Sequence, residues 1–246
     1  MIAIERRGRL GNHLFQWAFG IAASRRLGTG FVMDHDSLGP LFGLDDHLRP
    51  DLRARNLLWL RSRGRRAALV EVTNDEDPAT VLAALEDGVR YSGFFQSPDY
   101  FAGHEDAVRR ALAVKPQPRE RFQERYADLA AGDYVCVHVR RGDYADWKGG
   151  AALLPAEYIR RCIDLAEPAG RPVVVISDSI DEAKAELAGV PGVRFESNDP
   201  IVDLQLMIHA STCVVSNSTF AWWGAWLGDA PGRRVLAPRY WVGFRE

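Results

Sequence analysis

Lysine is nearly missing from this 246-residue chain: Lys115, Lys148 and Lys184 are the only three among 31 basic residues, so the other 28 are arginines. Arginine's planar fork suits carboxylate and phosphate, although a genome-wide coding bias would give the same composition. A surplus of one charge is missing too. The 31 basic residues face 33 acidic ones, a formal net charge of -2, which excludes whole-molecule attraction to nucleic acid and leaves any polyanion to be met by a local cluster. Cysteine is scarce. Cys136, Cys162 and Cys213 are too few and too far apart for a disulfide scaffold, and two of them lie in apolar runs that read as buried strands, so reduced core thiols are expected. No run approaches the roughly 18 apolar residues of a membrane span. The opening Met1-Ile2-Ala3-Ile4-Glu5-Arg6-Arg7 lacks the basic, apolar and cleavage order of a signal peptide, and a cytoplasmic location is expected.

What is present is a globular composition, 47% apolar and 26% charged, which excludes disorder and collagen. The length admits one large domain or two compact ones. Ile2 to Ile4 reads as a strand, followed by a glycine turn and a helix from about Leu14 to Leu27 whose stripe is Leu14, Trp17, Ala18, Ile21 and Ala22. Gly28-Thr29-Gly30 ends it, and a second strand, Phe31 to Met33, runs to Asp34. Strands at Ala68 to Val72 and Val89 to Ser92 flank a helix from Pro78 to Leu85. Lys115-Pro116-Gln117-Pro118 reads as a linker, since two prolines two apart should not continue a helix, and it divides the chain into residues 1–117 and 118–246.

The second half alternates regularly. Strands are expected at Tyr134 to Val139, Pro172 to Ile176, Val193 to Phe195 and Thr212 to Val215, with helices at Pro155 to Ala166, Ile180 to Leu187, Ile201 to Ala210 and Thr219 to Leu227. That is a doubly wound α/β pattern, in which ligands sit beyond the carboxyl ends of the strands. Seven arginines between Arg49 and Arg66 read either as a solvated helical face or as an anion or peripheral membrane-surface site.

Four strand ends carry polar side chains. Gly8-Arg9-Leu10-Gly11-Asn12-His13 opens a helix, where free amides, the dipole and an arginine favour phosphate; a plain tight turn is the competing reading. His138-Val139-Arg140-Arg141-Gly142-Asp143-Tyr144 is the densest cluster, and strand alternation sends His138 and Arg140 to one side and Arg141 to the other. An ion pair would explain Asp143 but not basic side chains inside a buried-looking strand. Ser177-Asp178-Ser179 reads mainly as a helix N-cap. Ser216-Asn217-Ser218-Thr219 opens the next helix as a phosphate seat, while Trp223 and Trp226 are expected to pack it onto the sheet. Asp34-His35-Asp36 and Asp75-Glu76-Asp77 fit an Asp-x-Asp metal pattern, but neither lies beside the phosphate cluster. Gly8 and Gly11 make only G-x-x-G, short of the dinucleotide fingerprint.

In combination these segments resemble the α-1,2-fucosyltransferases of glycosyltransferase family 11. The family patterns G-x-G-N-Q-x-F-Q-Y-A, G-Y-F-Q-S-x-x-Y-F, H-x-R-R-G-D-Y and S-N-S-S-F-S-W-W-G-A-W-L stand here at Gly8 to Ala18, Gly93 to Phe101, His138 to Tyr144 and Ser216 to Leu227. His13 replaces a glutamine, Trp17 a tyrosine and Thr219 the second serine. The resemblance implies an α/β, GT-B-like protein of two Rossmann-type domains with parallel sheets. Residues 1–117 would face the acceptor and lend the glycine-rich loop, and 118–246 would bind GDP-fucose. It implies inverting transfer of L-fucose from GDP-β-L-fucose to the 2-hydroxyl of a galactose-containing glycan, with neither metal nor cofactor beyond the donor substrate.

It also implies Arg140 on the diphosphate and Asp203 on guanine, the latter otherwise a first-turn helix acid. Arg140, His138 and Asp143 are then the catalytic candidates, with Asp143 or Asp178 as base. Gly8, Arg9, Gly11, Asn12, Asp178, Asp203, Asn217, Ser218 and Thr219 are the substrate-binding candidates. The alternatives are a non-catalytic carbohydrate-binding protein and a dinucleotide-dependent oxidoreductase.

Overall fold

Strand β1 (Ile2–Ile4) buries both its isoleucines and pairs in parallel with a neighbour on each side, β2 (Phe31–Met33) and β4 (Arg90–Ser92). β3 (Leu69–Glu71) adds to β4, giving the order β2-β1-β4-β3, with β3 exposed at the edge. The computed structural model describes residues 1–33, 38–44, 68–168 and 170–240. The expected strand end at Asp34, the Asp34-His35-Asp36 triplet and the Arg49 to Arg66 cluster lie outside the described residues.

Contacts divide the chain into two compact units, Met1–Pro116 and Gln117–Glu246. In the first, helix α1 (Leu10–Arg26) is buried on nearly every face from His13 to Ser24, rather than on the single stripe its periodicity suggested. It lies under aromatic side chains of later segments: Phe19 stacks on Phe95 at 3.9 Å and meets Tyr100 edge-on at 5.7 Å. Arg25 and Arg26 close its last turn, where cations suit the helix dipole. Among the described residues this unit also holds helices α2 (Pro78–Ala83) and α3 (Glu105–Ala111).

Helix α4 (Pro116–Arg125) begins at the division between the units and lies in the second from Gln117 on, which corrects the linker expectation. Both prolines fall in its first turn, where a missing N–H leaves no intrahelical bond unmade. Strands β5 (Val135–Val139) and β6 (Val173–Ser177) are buried at every residue, as central strands of a parallel sheet covered on both faces must be. β7 (Val193–Glu196), β8 (Thr212–Val214) and β9 (Arg234–Leu236) join them in the order β7-β6-β5-β8-β9, every pair parallel. Helices α5 (Ala156–Leu165), α6 (Ile180–Glu186), α7 (Pro200–His209) and α8 (Thr219–Leu227) form the connections.

Cys136, Ile176, Leu206 and Met207 pack one face of the sheet, and Val135, Val137, Ile163 and Val175 the other. Each such aliphatic side chain, fully buried, contributes about 1.5–3 kcal/mol. The three thiols are buried and free, as expected of core cysteines. The class is therefore α/β with two parallel, Rossmann-type sheets. The chain winds outward from β5 to β7 and then returns to β8, so the strand order reverses between β5 and β8.

Candidate active site

The strand order switches between β5 and β8, the place where ligands bind in open α/β sheets, and a hydrogen bond ties their carboxyl ends together. His138 Nδ1 lies 2.7 Å from Ser216 Oγ, both side chains being buried. Burial pushes the imidazole down to about 4; Asp178 opposes this and Arg140 adds to it. The ring is therefore neutral near pH 7.

Two residues on, Arg140 follows the end of the strand and lies between two carboxylates. Its terminal nitrogens pair with Asp143 and, at 2.8 Å, with Asp178 Oδ2, while its guanidinium stands 4.8 Å above the ring centre of Tyr144. Its Nε is buried with no hydrogen-bond partner among the described residues.

The helix start expected at Ser177-Asp178-Ser179 is present, with a serine and not the aspartate at the cap. Ser179 occupies the N-cap position of α6, and Asp178 turns to the β5 loop, accepting Arg141 N–H at Oδ1 over 2.8 Å. The capping rule acts between near neighbours; the loop 37 residues away offered both an amide and a cation. Gly142 makes this approach feasible. It has φ +35, and a Cβ there would overlap Asp178 Oδ2.

Arg141 goes the other way and is 4% exposed, with Nε donating to Glu186 Oε1 at 2.8 Å and Nη2 to the second oxygen. The two arginines diverge in the loop that follows β5, and Arg141 has the carboxylate partner expected of a structural residue.

Beyond β8, Ser218 is the N-cap of α8 but its hydroxyl makes no capping bond, and the first turn, opened by Thr219, carries no acid. The amides at that end remain suited to an anion. Asn217 is 3% exposed and donates Nδ2 to the Ala152 carbonyl, which fixes the loop. Trp223 is fully buried, as a packing role requires, and meets the half-buried Trp226 edge-on at 5.2 Å.

Asp203 lies in the first turn of α7 and accepts a hydrogen bond from Asn198 Nδ2 at 2.8 Å. Burial raises its carboxyl to about 6; the Asn198 bonds and Arg125 oppose this, and Glu196 adds to it.

The first unit has its own strand-end cluster beyond β1 and β4. Gly8, at φ +77, turns the chain into α1 so tightly that a Cβ would overlap Asn12 Nδ2. His13 Nε2 lies 2.9 Å from Gly8 O, and Asn12 Oδ1 accepts from Gln96 Nε2 at 2.9 Å. Arg9 is the N-cap, and Gly11 sits in the first turn.

Sequence reasoning passed over Gln16, which is fully buried. It accepts Arg7 N–H at 3.2 Å and donates to the carbonyls of Arg7 at 3.1 Å and Gly93 at 3.0 Å, clamping both loops. A glutamine inside an apolar helix face was the available signal. The Asp75-Glu76-Asp77 triplet is used locally: Asp77 caps α2 through Thr80 N at 2.9 Å, and Glu76 accepts from Thr73 N at 2.7 Å. Among the described residues no group of three or more His, Cys, Asp or Glu side chains is placed to hold a metal ion, and no helix is long and apolar enough to cross a membrane.

Comparison with known proteins adds a family. The profile described as glycosyl transferase family 11 matches residues 88–240. An α-1,2-colitosyltransferase of Escherichia coli is 30% identical over 264 residues, 95% of this chain and 90% of that one. Galactoside α-(1,2)-fucosyltransferase 1 of Homo sapiens is 27% identical over 244 residues, 89% of this chain and 63% of that one, so the chain spans under two thirds of the human protein's length. Among solved structures, POFUT1 in complex with GDP-fucose shares the fold at a TM-score of 0.64 and 12% identity, covering 96% of this chain and 97% of that one.

Proposed function

The chain belongs to glycosyl transferase family 11, and on that premise we propose that it transfers L-fucose from GDP-β-L-fucose to the 2-hydroxyl of a galactose-containing acceptor, inverting the anomeric centre without a metal ion. The observation that carries this reading is that Arg140 and the uncapped start of α8 follow two adjacent strands, β5 and β8, whose ends His138 and Ser216 join.

Breaking the fucosyl bond leaves a diphosphate. Arg140 and the Ser218–Thr219 amides would meet the growing charge with donors already oriented, which is the arrangement that stabilises a transition state more than a ground state. His138, buried and neutral, acts as a positioning residue that holds Ser216 and hence the start of α8. Asp178 fixes Arg140, and Asp203 offers a carboxylate to the guanine N–H donors. Within the first unit, the Gly8 turn sets Arg9, Asn12 and the α1 amides as a second anion-seeking helix start. When the transition state is oxocarbenium-like the acceptor attacks late, so its proton can pass to the departing diphosphate or to Asp143, which is 55% exposed. Three free core thiols accord with a reducing, cytoplasmic setting.

The test is release of free GDP from GDP-fucose on addition of lactose, with and without EDTA. Acceptor-dependent release that persists in EDTA is expected; acceptor binding with no release would show a carbohydrate-binding protein instead. The E. coli relative supports a second donor reading, colitosyl transfer. Colitose is L-fucose lacking its 3-hydroxyl, so a faster reaction with the colitosyl donor would select that reading.

A further inference from the structure

We infer that Asn198 is a positioning residue that holds Asp203 in the ionised, hydrogen-bond-accepting form needed to read guanine. This rests on the reading of Asp203 as the guanine residue. Guanine offers a carboxylate two N–H donors, and a carboxyl that had gained a proton would meet one of them with a donor of its own. Asp203 stands in the first turn of α7, which follows the carboxyl end of β7, the ligand side of an open α/β sheet.

Burial alone pushes this carboxyl up, to about 6, so its charge near neutral pH depends on what opposes the burial. Asn198 opposes it twice, through Nδ2 at 2.8 Å and through the backbone. Arg125, at the end of α4, adds a smaller effect in the same direction. Glu196 on β7 acts the other way, and the Cys136 thiol of β5 lies near enough to feel the charge. The arginines of this cluster are engaged elsewhere: Arg194 pairs with Glu196 and with Asp128 at 2.7 Å, and Arg125 lies 3.8 Å from Glu196. The amide of Asn198 therefore makes the direct contact with Asp203, and its direction is fixed from behind. Its Oδ1 accepts from the hydroxyl of Tyr126 at 3.0 Å, a side chain 1% exposed whose hydroxyl also lies 2.9 Å from Glu196 Oε2. Turned over, the amide would set oxygen against the Asp203 carboxylate, an arrangement that stands only when Asp203 carries a proton. The direction of the amide and the charge of Asp203 are thus linked.

Two measurements from pH 5 to 8.5 test the inference on the wild type, Asn198→Ala and Asp203→Asn. One is an NMR titration of side-chain carboxyls in the free protein, with the Asp203 signal identified by its loss in Asp203→Asn. The other is calorimetric titration of GDP and of inorganic pyrophosphate, which lacks the base. Asn198→Ala should raise the Asp203 midpoint by about one pH unit, the scale of one hydrogen bond to a charged group. GDP should then bind about fivefold more weakly than to the wild type at pH 6 and equally well at pH 8.5, where both carboxyls are ionised. Pyrophosphate should bind all three proteins alike. A merely structural defect weakens GDP at every pH, so recovery at pH 8.5 is diagnostic; Asn198→Leu, which keeps the bulk without the amide, repeats the test. An unmoved midpoint, or a GDP deficit that persists at pH 8.5, would overturn the inference. If the midpoint rises but Asp203→Asn binds GDP like the wild type, the hold of Asn198 on the carboxyl stands and the guanine reading falls. If Asp203→Asn loses GDP affinity while the midpoint in Asn198→Ala is unmoved, the guanine reading stands and the role of Asn198 falls.

Discussion

Arg141 closes its guanidinium fork on Glu186, Nε to Oε1 at 2.8 Å and Nη2 to the other oxygen, and its Nη1 donates to the carbonyl of Arg140 at 2.8 Å. The structural arginine thereby holds the backbone of the one beside it, whose own fork points to Asp143 and Asp178.

Substituting each in turn separates the roles, because lysine keeps the charge and loses the fork. Arg141→Lys should lower stability by about 1–3 kcal/mol in urea melts, with near wild-type turnover per folded molecule. Arg140→Lys should cost about 2.7–4 kcal/mol in turnover at saturating donor, with a smaller change in GDP affinity. The reverse pattern would mean that Arg141 faces the donor.

Acid should act on folding through two histidines and, with opposite sign, one aspartate. His138 is about 4 in the folded protein against an ordinary 6.5, so its contribution is present above pH 6.5 and is lost as pH falls toward 4. His209, lowered by burial, acts in the same direction. Asp203 is about 6 against 3.8, so its contribution is present below pH 3.8 and is lost as pH rises through 6. In urea melts from pH 4 to 7, His138→Asn should flatten the loss of stability toward acid, and Asp203→Asn should steepen it.

Gly142→Ala places a methyl group where Asp178 Oδ2 now lies, on backbone at φ +35. The strained backbone should cost about 1–2 kcal/mol. Turnover per folded molecule should fall about ten- to a hundredfold as Arg140 loses its tether, a drop that stability alone would not produce. Steady-state rates corrected by thermal melts check this.

Arg233 joins the ends of two helices. It donates to the carbonyls of Met207 and, at 3.1 Å, Ala210 at the end of α7, and to Gly224 at 3.1 Å and Ala225 at 2.7 Å in α8. Arg233→Met should destabilise the protein by about 2–4 kcal/mol, since four carbonyls lose a charged donor, and a fall in urea midpoint at unchanged slope would show it.

Local structure was legible wherever the causes lie within a few residues. β1, β2 and α8 begin and end where apolar runs and a serine start placed them. β9 escaped notice because Arg234-Val235-Leu236 is a short, largely exposed edge with no alternation to read. α4 escaped because proline was treated as a breaker, although the first helical turn is exempt.

The amino-acid sequence by itself determined the alternation of strands and helices and the family motifs, because periods of two and 3.6 residues are written between near neighbours. Only the tertiary structure decided that Asp178 serves the arginine loop and not its own helix, that His138 meets Ser216 across 78 residues and that Gln16 reaches Gly93 across 77. Those pairings depend on which strands lie side by side, and strand order follows from how whole layers bury their apolar faces. The protonation states depend on it as well. A histidine and an aspartate take their charges from the burial that the packed sheet and helices impose.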